Sequence, residues 1–186
     1  MSKLVVGIGG STRPGSTTEV AIKAVLADAE GLGARTELIS GQDLVMPPYE
    51  PKADGGPGAA RVVRAMREAD ALVIGSPGYH GSISGLVKNA LDYSEELRED
   101  PRVYFDGLPV ACIATGFGWS GAIHTLGALR DVVHALRGWP TPLGIAINTA
   151  EPGAVVDGRI ANPQLVEQAQ IVAAQLMAFP ASQSGA

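Results

Sequence analysis

The chain has a single cysteine, Cys112, among 186 residues, so no intrachain disulfide and no cysteine metal cluster can form. Its place in the apolar run LPVACIAT fits a small buried hydrophobe rather than a nucleophile. Histidine is nearly as scarce, with three copies, and His124 and His134 lie ten positions apart on one helical pattern without clustered carboxylates. That spacing argues against a metal site. Positive charge is not in excess either: the formal charge is -5, the pI is about 5.1, and charges of both signs are interspersed. A nucleic-acid partner is therefore not expected. No apolar run approaches the ~20 residues of a membrane helix, and the opening MSKLVVGIGG lacks a signal-peptide pattern. These absences lead us to expect a cytoplasmic protein with no membrane association.

What is present is core-forming material. With 46% hydrophobic and 18% charged residues, the chain is ample for one core and short for two. We expect one domain over residues 1–180, followed by a disordered tail, ASQSGA, at 181–186.

Strand and helix patterns alternate along it. Leu4 to Ile8 reads as a first strand, and Ile22, Val25, Leu26, Ala29 and Leu32 follow with helical spacing behind the candidate caps Ser16, Thr17 and Thr18. Arg35 to Ile39 is a second strand, followed by a Pro/Gly-rich loop from Ser40 to Gly58. Ala59, Val62, Val63 and Met66 mark a second helix, and Ala71 to Gly75 a buried third strand ending at the loop SPGYHGS. A helix with Ile83, Leu86, Val87, Ala90 and Leu91 is expected to start at a Ser82 cap. Leu108 to Ala114 is a fourth strand, emptying into TGFGWSG before a helix with Ile123, Leu126, Leu129, Val133 and Leu136. Leu143 to Ile147 is a fifth, Val155 to Ile160 a hairpin about Asp157-Gly158, and Leu165 to Leu176 a last helix.

Five β-then-α units imply an α/β fold, a doubly wound parallel sheet with helices on both faces. Ligands in such folds lie beyond the carboxyl ends of the strands. Three of those ends here carry Gly/Ser-rich loops, which converge on one edge.

The first loop, GGSTRPGSTTE from Gly9 to Glu19, has the chemistry of a phosphate cradle. Glycines allow the turn, the unpaired amides of a helix start face an anion, and Ser11, Thr12 and Arg13 add donors. A dinucleotide fingerprint fails, since Thr12 stands where its third glycine belongs and the second strand ends in Ser40 rather than an acid. A triphosphatase loop fails too, because Ser16 occupies the lysine position.

GSTRPGSTTE, followed by GSPGYHGSISGLVKNALDY and then TGFGWSG, resembles the signatures of the flavodoxin-like NAD(P)H-dependent FMN reductases in order and spacing from Val5 to Ile147. The resemblance implies a five-stranded sheet in the order 2-1-3-4-5, FMN as cofactor, and NADPH or NADH as co-substrate. It places Ser11, Arg13, Ser16 and Thr17, with Thr18 beside them, at the FMN phosphate. It places Pro77, Gly78, Tyr79, His80 and Gly81 along the isoalloxazine edge, and the loop with Thr115, Gly116 and Gly118 across the other side. No residue is assigned a catalytic role, because hydride transfer from nicotinamide to flavin needs no protein base. The implied acceptor is a small molecule, such as free flavin, a quinone or an azo compound, and the implied assembly is a homodimer or homotetramer. A flavodoxin-like electron carrier without NAD(P)H turnover is the alternative. One departure stands out: the family's common Ser-Pro-Glu-Tyr-Asn is here Ser-Pro-Gly-Tyr-His, with Gly78 for the acid and His80 for the amide.

Overall fold

A computed structural model describes residues 2–180, so the expected disordered tail lies outside the described residues. Strand β1 (Leu4–Gly9) leads through helix α1 (Thr17–Gly31) to β2 (Arg35–Ser40), and α2 (Gly56–Glu68) leads to β3 (Ala71–Tyr79). A short β4 (Ser82–Ile83) precedes α3 (Gly85–Asp92), and β5 (Pro109–Gly116) precedes α4 (Trp119–Ala135). Strands β6 (Trp139–Pro140) and β7 (Ile145–Asn148), the hairpin β8 (Val155–Val156) and β9 (Arg159–Ile160), and helix α5 (Pro163–Ala178) complete the order.

The main sheet runs β2-β1-β3-β5, with β6 and β7 both beside β5 and all of these pairs parallel. The expected 2-1-3-4-5 order holds for the five long strands. The sheet is larger than the five strands expected, however, because β6 and the antiparallel β4 join it. A two-residue strand carries too little periodicity to be read from sequence.

Alternation along the strands builds both layers. Val6, Ile8, Leu72, Ile74, Val110 and Cys112 face one side, against Val62 and Met66 of α2, Val87 and Leu91 of α3, and Leu129 and Val133 of α4. Val5, Val73, Ile113, Ile145 and Ile147 face the other, against Ile22 and Val25 of α1 and Val172 and Leu176 of α5. Cys112 is buried, and that burial pushes its thiol up to about 12, as expected of an inert core residue.

Helix α5 has no basic residue in its last turn, and its carbonyls are met in trans. The Lys3 ammonium donates to the carbonyls of Met177 at 2.9 Å and Phe179 at 2.6 Å. A cation at a helix C-terminus is favourable, and its hydrogen bonds are charge-assisted. Lys3→Ala is expected to destabilise the fold by about 1–3 kcal/mol, read as a lower urea midpoint at unchanged slope. An unaltered midpoint would mean that water caps the helix equally well.

Two local readings are corrected. Ser82 is not the cap of α3: it pairs with Tyr79 in β4, and Ile83 pairs with Gly78, so Ile83 is not on the helix. The cap is Ser84, whose buried hydroxyl accepts from the Val87 N–H at 3.2 Å. The expected loop SPGYHGS is the end of β3 and a tight turn, with His80 and Gly81 at φ 51° and 85°. Ser76 ties this turn together, its hydroxyl accepting from the Ser84 N–H at 2.9 Å.

The loop from Ser40 to Gly58 is not free. Asn89 of α3 donates to the Pro47 carbonyl and accepts from the Tyr49 N–H, both at 2.9 Å, and the Tyr93 hydroxyl donates to Pro47 at 3.0 Å. Lys88 pairs with Asp92 one turn along α3.

Candidate functional site

The carboxyl ends of β1, β3 and β5 open on one cleft of about 620 Å³, a volume within the range of small-molecule sites. Its floor comes from the first loop, where Ser11, Thr12, Arg13, Ser16, Thr17 and Thr18 line it. Pro77, Gly78 and Tyr79 form one wall, and Thr115, Gly116 and Phe117 the opposite one, with Thr149 beyond β7.

Local chemistry explains the floor. Ser16 is the N-cap of α1, its hydroxyl accepting from the Glu19 N–H at 3.3 Å, while the Glu19 carboxylate accepts from the Gly15 N–H at 3.3 Å. This is the reciprocal logic of a capping box, read directly from the run STTE. Lys23 pairs with Glu19, and neither residue lines the cleft. Among the described residues, the N–H groups of Ser11, Thr12, Thr17 and Thr18 donate to nothing. The Ser11 hydroxyl accepts from the Arg13 N–H, which leaves its proton for a ligand. Arg13 is exposed and forms no ion pair among the described residues. Unpaired amides at a helix start, two hydroxyls and one free guanidinium make a donor set suited to a phosphate.

Thr18 is placed differently from its neighbours. Its side chain is 1% exposed, and its hydroxyl is hydrogen-bonded to that of Thr115 at 2.7 Å. The pair locks α1 to β5 beneath the cleft, so Thr18 has its N–H rather than its hydroxyl to offer a ligand.

The walls are close-packed backbone. A Cβ on Gly78 would stand 2.3 Å from the Thr125 hydroxyl, and one on Gly116 would stand 2.5 Å from the Ala122 nitrogen. Both positions are thereby restricted to glycine, and the two walls are held in close contact with α4. His80 and Gly81 are exposed on the turn beyond Tyr79 and do not line the cleft, and neither does Gly118. Thr149 was not singled out in the sequence. Nothing in the run NTAEP marks it, and it reaches the cleft because its N–H and hydroxyl both donate to the Gly116 carbonyl, at 2.8 and 3.1 Å.

A doubly wound parallel sheet, with a phosphate-suited helix start and a cleft at its carboxyl edge, defines a flavodoxin-like nucleotide-binding class. Residues 4–152 match the family model described as NADPH-dependent FMN reductase, and the chain belongs to that family. It is an oxidoreductase of the FMN-dependent kind, with NAD(P)H as electron donor. The chain is 31% identical over 179 residues to an NAD(P)H-dependent FMN reductase of Pseudomonas aeruginosa, covering 92% of this chain and 93% of that one. It is 36% identical over 115 residues to an FMN-dependent NADPH-azoreductase of Staphylococcus saprophyticus, covering 61% of this chain and 57% of the relative's length. The chain thus spans little more than half of that azoreductase. In fold it resembles the flavoenzyme NAD(P)H:(acceptor) oxidoreductase FerB of Paracoccus denitrificans, with TM-score 0.75 and 24% identity over 95% of this chain and 96% of that one.

Proposed function

We propose that this chain reduces a small electron acceptor, such as a free flavin, a quinone or an azo compound, using NAD(P)H and FMN held in the cleft. Family membership supports the chemistry, and the observation that carries the site assignment is the donor set on the cleft floor. In this reading the N–H groups of Thr17 and Thr18, the hydroxyls of Ser11 and Ser16 and the Arg13 guanidinium hold the FMN phosphate. Pro77, Gly78 and Tyr79 lie along one side of the ring, and Thr115 and Gly116 along the other. His80, Gly81 and Gly118 act from the cleft's margin. When bound, FMN supplies the centre that accepts hydride and passes electrons on. The protein orients the ring between the two walls and leaves one side open to donor and acceptor in turn.

Residues 1–180 act as one FMN-binding unit in this proposal, in the cytoplasm and as a homodimer or homotetramer. No helix among the described residues is long and apolar enough to cross a membrane.

The test of the site is FMN against riboflavin, which differs by the phosphate alone. FMN is expected to bind at least about a hundredfold more tightly, and Arg13→Ala to weaken FMN about tenfold while leaving riboflavin unchanged, as charge-assisted contacts are each worth about 1.5–3 kcal/mol. Equal affinity for the two flavins would remove the phosphate from the α1 floor.

A further inference from the structure

Beyond the three loops that converge on the cleft, a fourth segment at the end of β7 reaches it through Thr149, while Asn148 and Glu151 on either side line a neighbouring cavity of about 360 Å³ with Trp119. Asn148 is buried to 9% exposure, and both ends of its amide are engaged. Its Oδ1 accepts from the Gly118 N–H at 2.8 Å and from the Ala150 N–H at 3.0 Å. Its Nδ2 donates to the Glu151 carboxylate at 2.9 Å, and the same oxygen, Oε1, accepts from the Trp119 indole N–H at 2.7 Å.

Two of these four bonds, those from Gly118 and Trp119, come from the residues that follow Phe117. Gly118 is the N-cap of α4 but has no side chain to cap it, and the first turn of α4 contains no acid. Asn148 supplies an acceptor for the Gly118 N–H from across the fold, and Glu151 an acceptor shared by the Trp119 indole and the Asn148 amide. Phe117 itself is 89% exposed, so no packing holds it. It is fixed through its neighbours, with Gly116 bonded to Thr149 on one side and Gly118 and Trp119 bonded to Asn148 and Glu151 on the other.

We propose that Asn148 and Glu151 are positioning residues that hold the Phe117 wall at the width a flavin ring and its acceptor require. The inference rests on the flavin reading of the cleft. Glu151 acts by geometry in this account, since its one shared oxygen receives two N–H groups. A glutamine, whose amide oxygen can accept the same two bonds, should substitute for it.

The experiment compares Asn148→Ala, Glu151→Ala and Glu151→Gln with the parent by two readouts. The first needs no flavin: amide hydrogen exchange at Gly118 in the apo protein is expected to accelerate about tenfold in Asn148→Ala, the loss of about one hydrogen bond. Emission from Trp119, isolated in a Trp139→Phe background, is expected to shift in Glu151→Ala and to remain near the parent's in Glu151→Gln. The second readout uses the FMN-loaded enzyme with NADPH and menadione as the acceptor probe. Asn148→Ala and Glu151→Ala are each expected to raise the menadione KM about fivefold or more with kcat within about twofold, while Glu151→Gln stays close to the parent.

Unchanged Gly118 exchange together with an unchanged KM in both alanine variants would overturn the proposal. So would a Glu151→Gln variant as impaired as Glu151→Ala, since the charge rather than the geometry would then matter. Should Asn148→Ala fail to fold, the Glu151 pair decides alone, because Glu151 is exposed and its replacement opens no core cavity. A parent that binds no FMN would sink the flavin reading, while the exchange and fluorescence results would still report whether the clamp exists.

Discussion

Gly9→Ala is expected to yield no stably folded protein. Gly9 is the last residue of β1, lies at φ 141°, and pairs in register with Gly75 of β3. A Cβ there would stand 1.9 Å from the Gly75 carbonyl oxygen and 2.7 Å from its carbon. Neither is the end of a flexible side chain, so the two central strands must separate. The same Gly75 oxygen accepts from the Gly10 N–H at 3.1 Å, the bond that turns the chain out of the sheet into the phosphate loop. Backbone strain and overpacking at about 1–3 kcal/mol each, with the lost bond added, total about 4 kcal/mol or more. That is a large share of the roughly 5–15 kcal/mol that holds a domain together. Circular dichroism and a urea titration check it, and a variant with the parent's midpoint would show that β1 and β3 can shift apart without cost.

Gly78→Glu, which restores the acid common in the family's second signature, is expected to damage this protein unless Thr125 changes with it. Thr125 of α4 is fully buried, and its hydroxyl donates to the Ser82 carbonyl at 3.3 Å. A Cβ on Gly78 would come within 2.3 Å of that hydroxyl, 3.2 Å of the Gly121 oxygen and 3.3 Å of the Thr115 oxygen. The first contact is a side chain that substitution can remove, and the others are backbone that must yield a few tenths of an ångström. We expect Gly78→Glu alone to cost about 2–4 kcal/mol and to weaken FMN at least tenfold, because the displaced wall is part of the cleft. Thr125→Ala alone should cost about 1 kcal/mol for the lost hydrogen bond. The double variant should recover at least about 1 kcal/mol relative to the sum of the singles, a coupling that a double-mutant cycle measures. Strict additivity would separate Gly78 from Thr125.

Gly78 also shows where sequence reading stops. The five long strands and both helical layers were legible because long apolar runs and helical spacing carry strong periodic signals, while the 2-1-3-4-5 order was implied by the family resemblance. The Asp157-Gly158 hairpin was legible for its turn chemistry, with both residues at positive φ, 48° and 73°. SPGYHGS reads as loop because Pro77 and the glycines are strand breakers, yet β3 runs on to Tyr79. Pro77 is tolerated at the last step of the pairing with β5, opposite Thr115. Ser84 and Ser82 are equally good caps on composition, and only the partner of Ser76 decides between them.

The site was legible to the same depth. The loops that line the cleft follow from the carboxyl ends of strands, a topological rule that sequence order satisfies. The bond between Thr18 and Thr115 spans 97 positions, and that between Asn148 and Gly118 spans 30. Contacts at such distances leave no periodic trace in one sequence, so Thr149, Asn148 and Glu151 emerged only from the structure.

The central claim is that the cleft holds FMN and that NAD(P)H reduces it there. It is tested most directly by titrating the purified protein with FMN and then adding NADPH, and separately NADH, without oxygen while following the flavin absorbance. The account predicts saturable binding and rapid bleaching by at least one of the two nucleotides. Bound FMN that neither nucleotide bleaches would contradict the reductase reading, and FMN that does not bind would contradict the site.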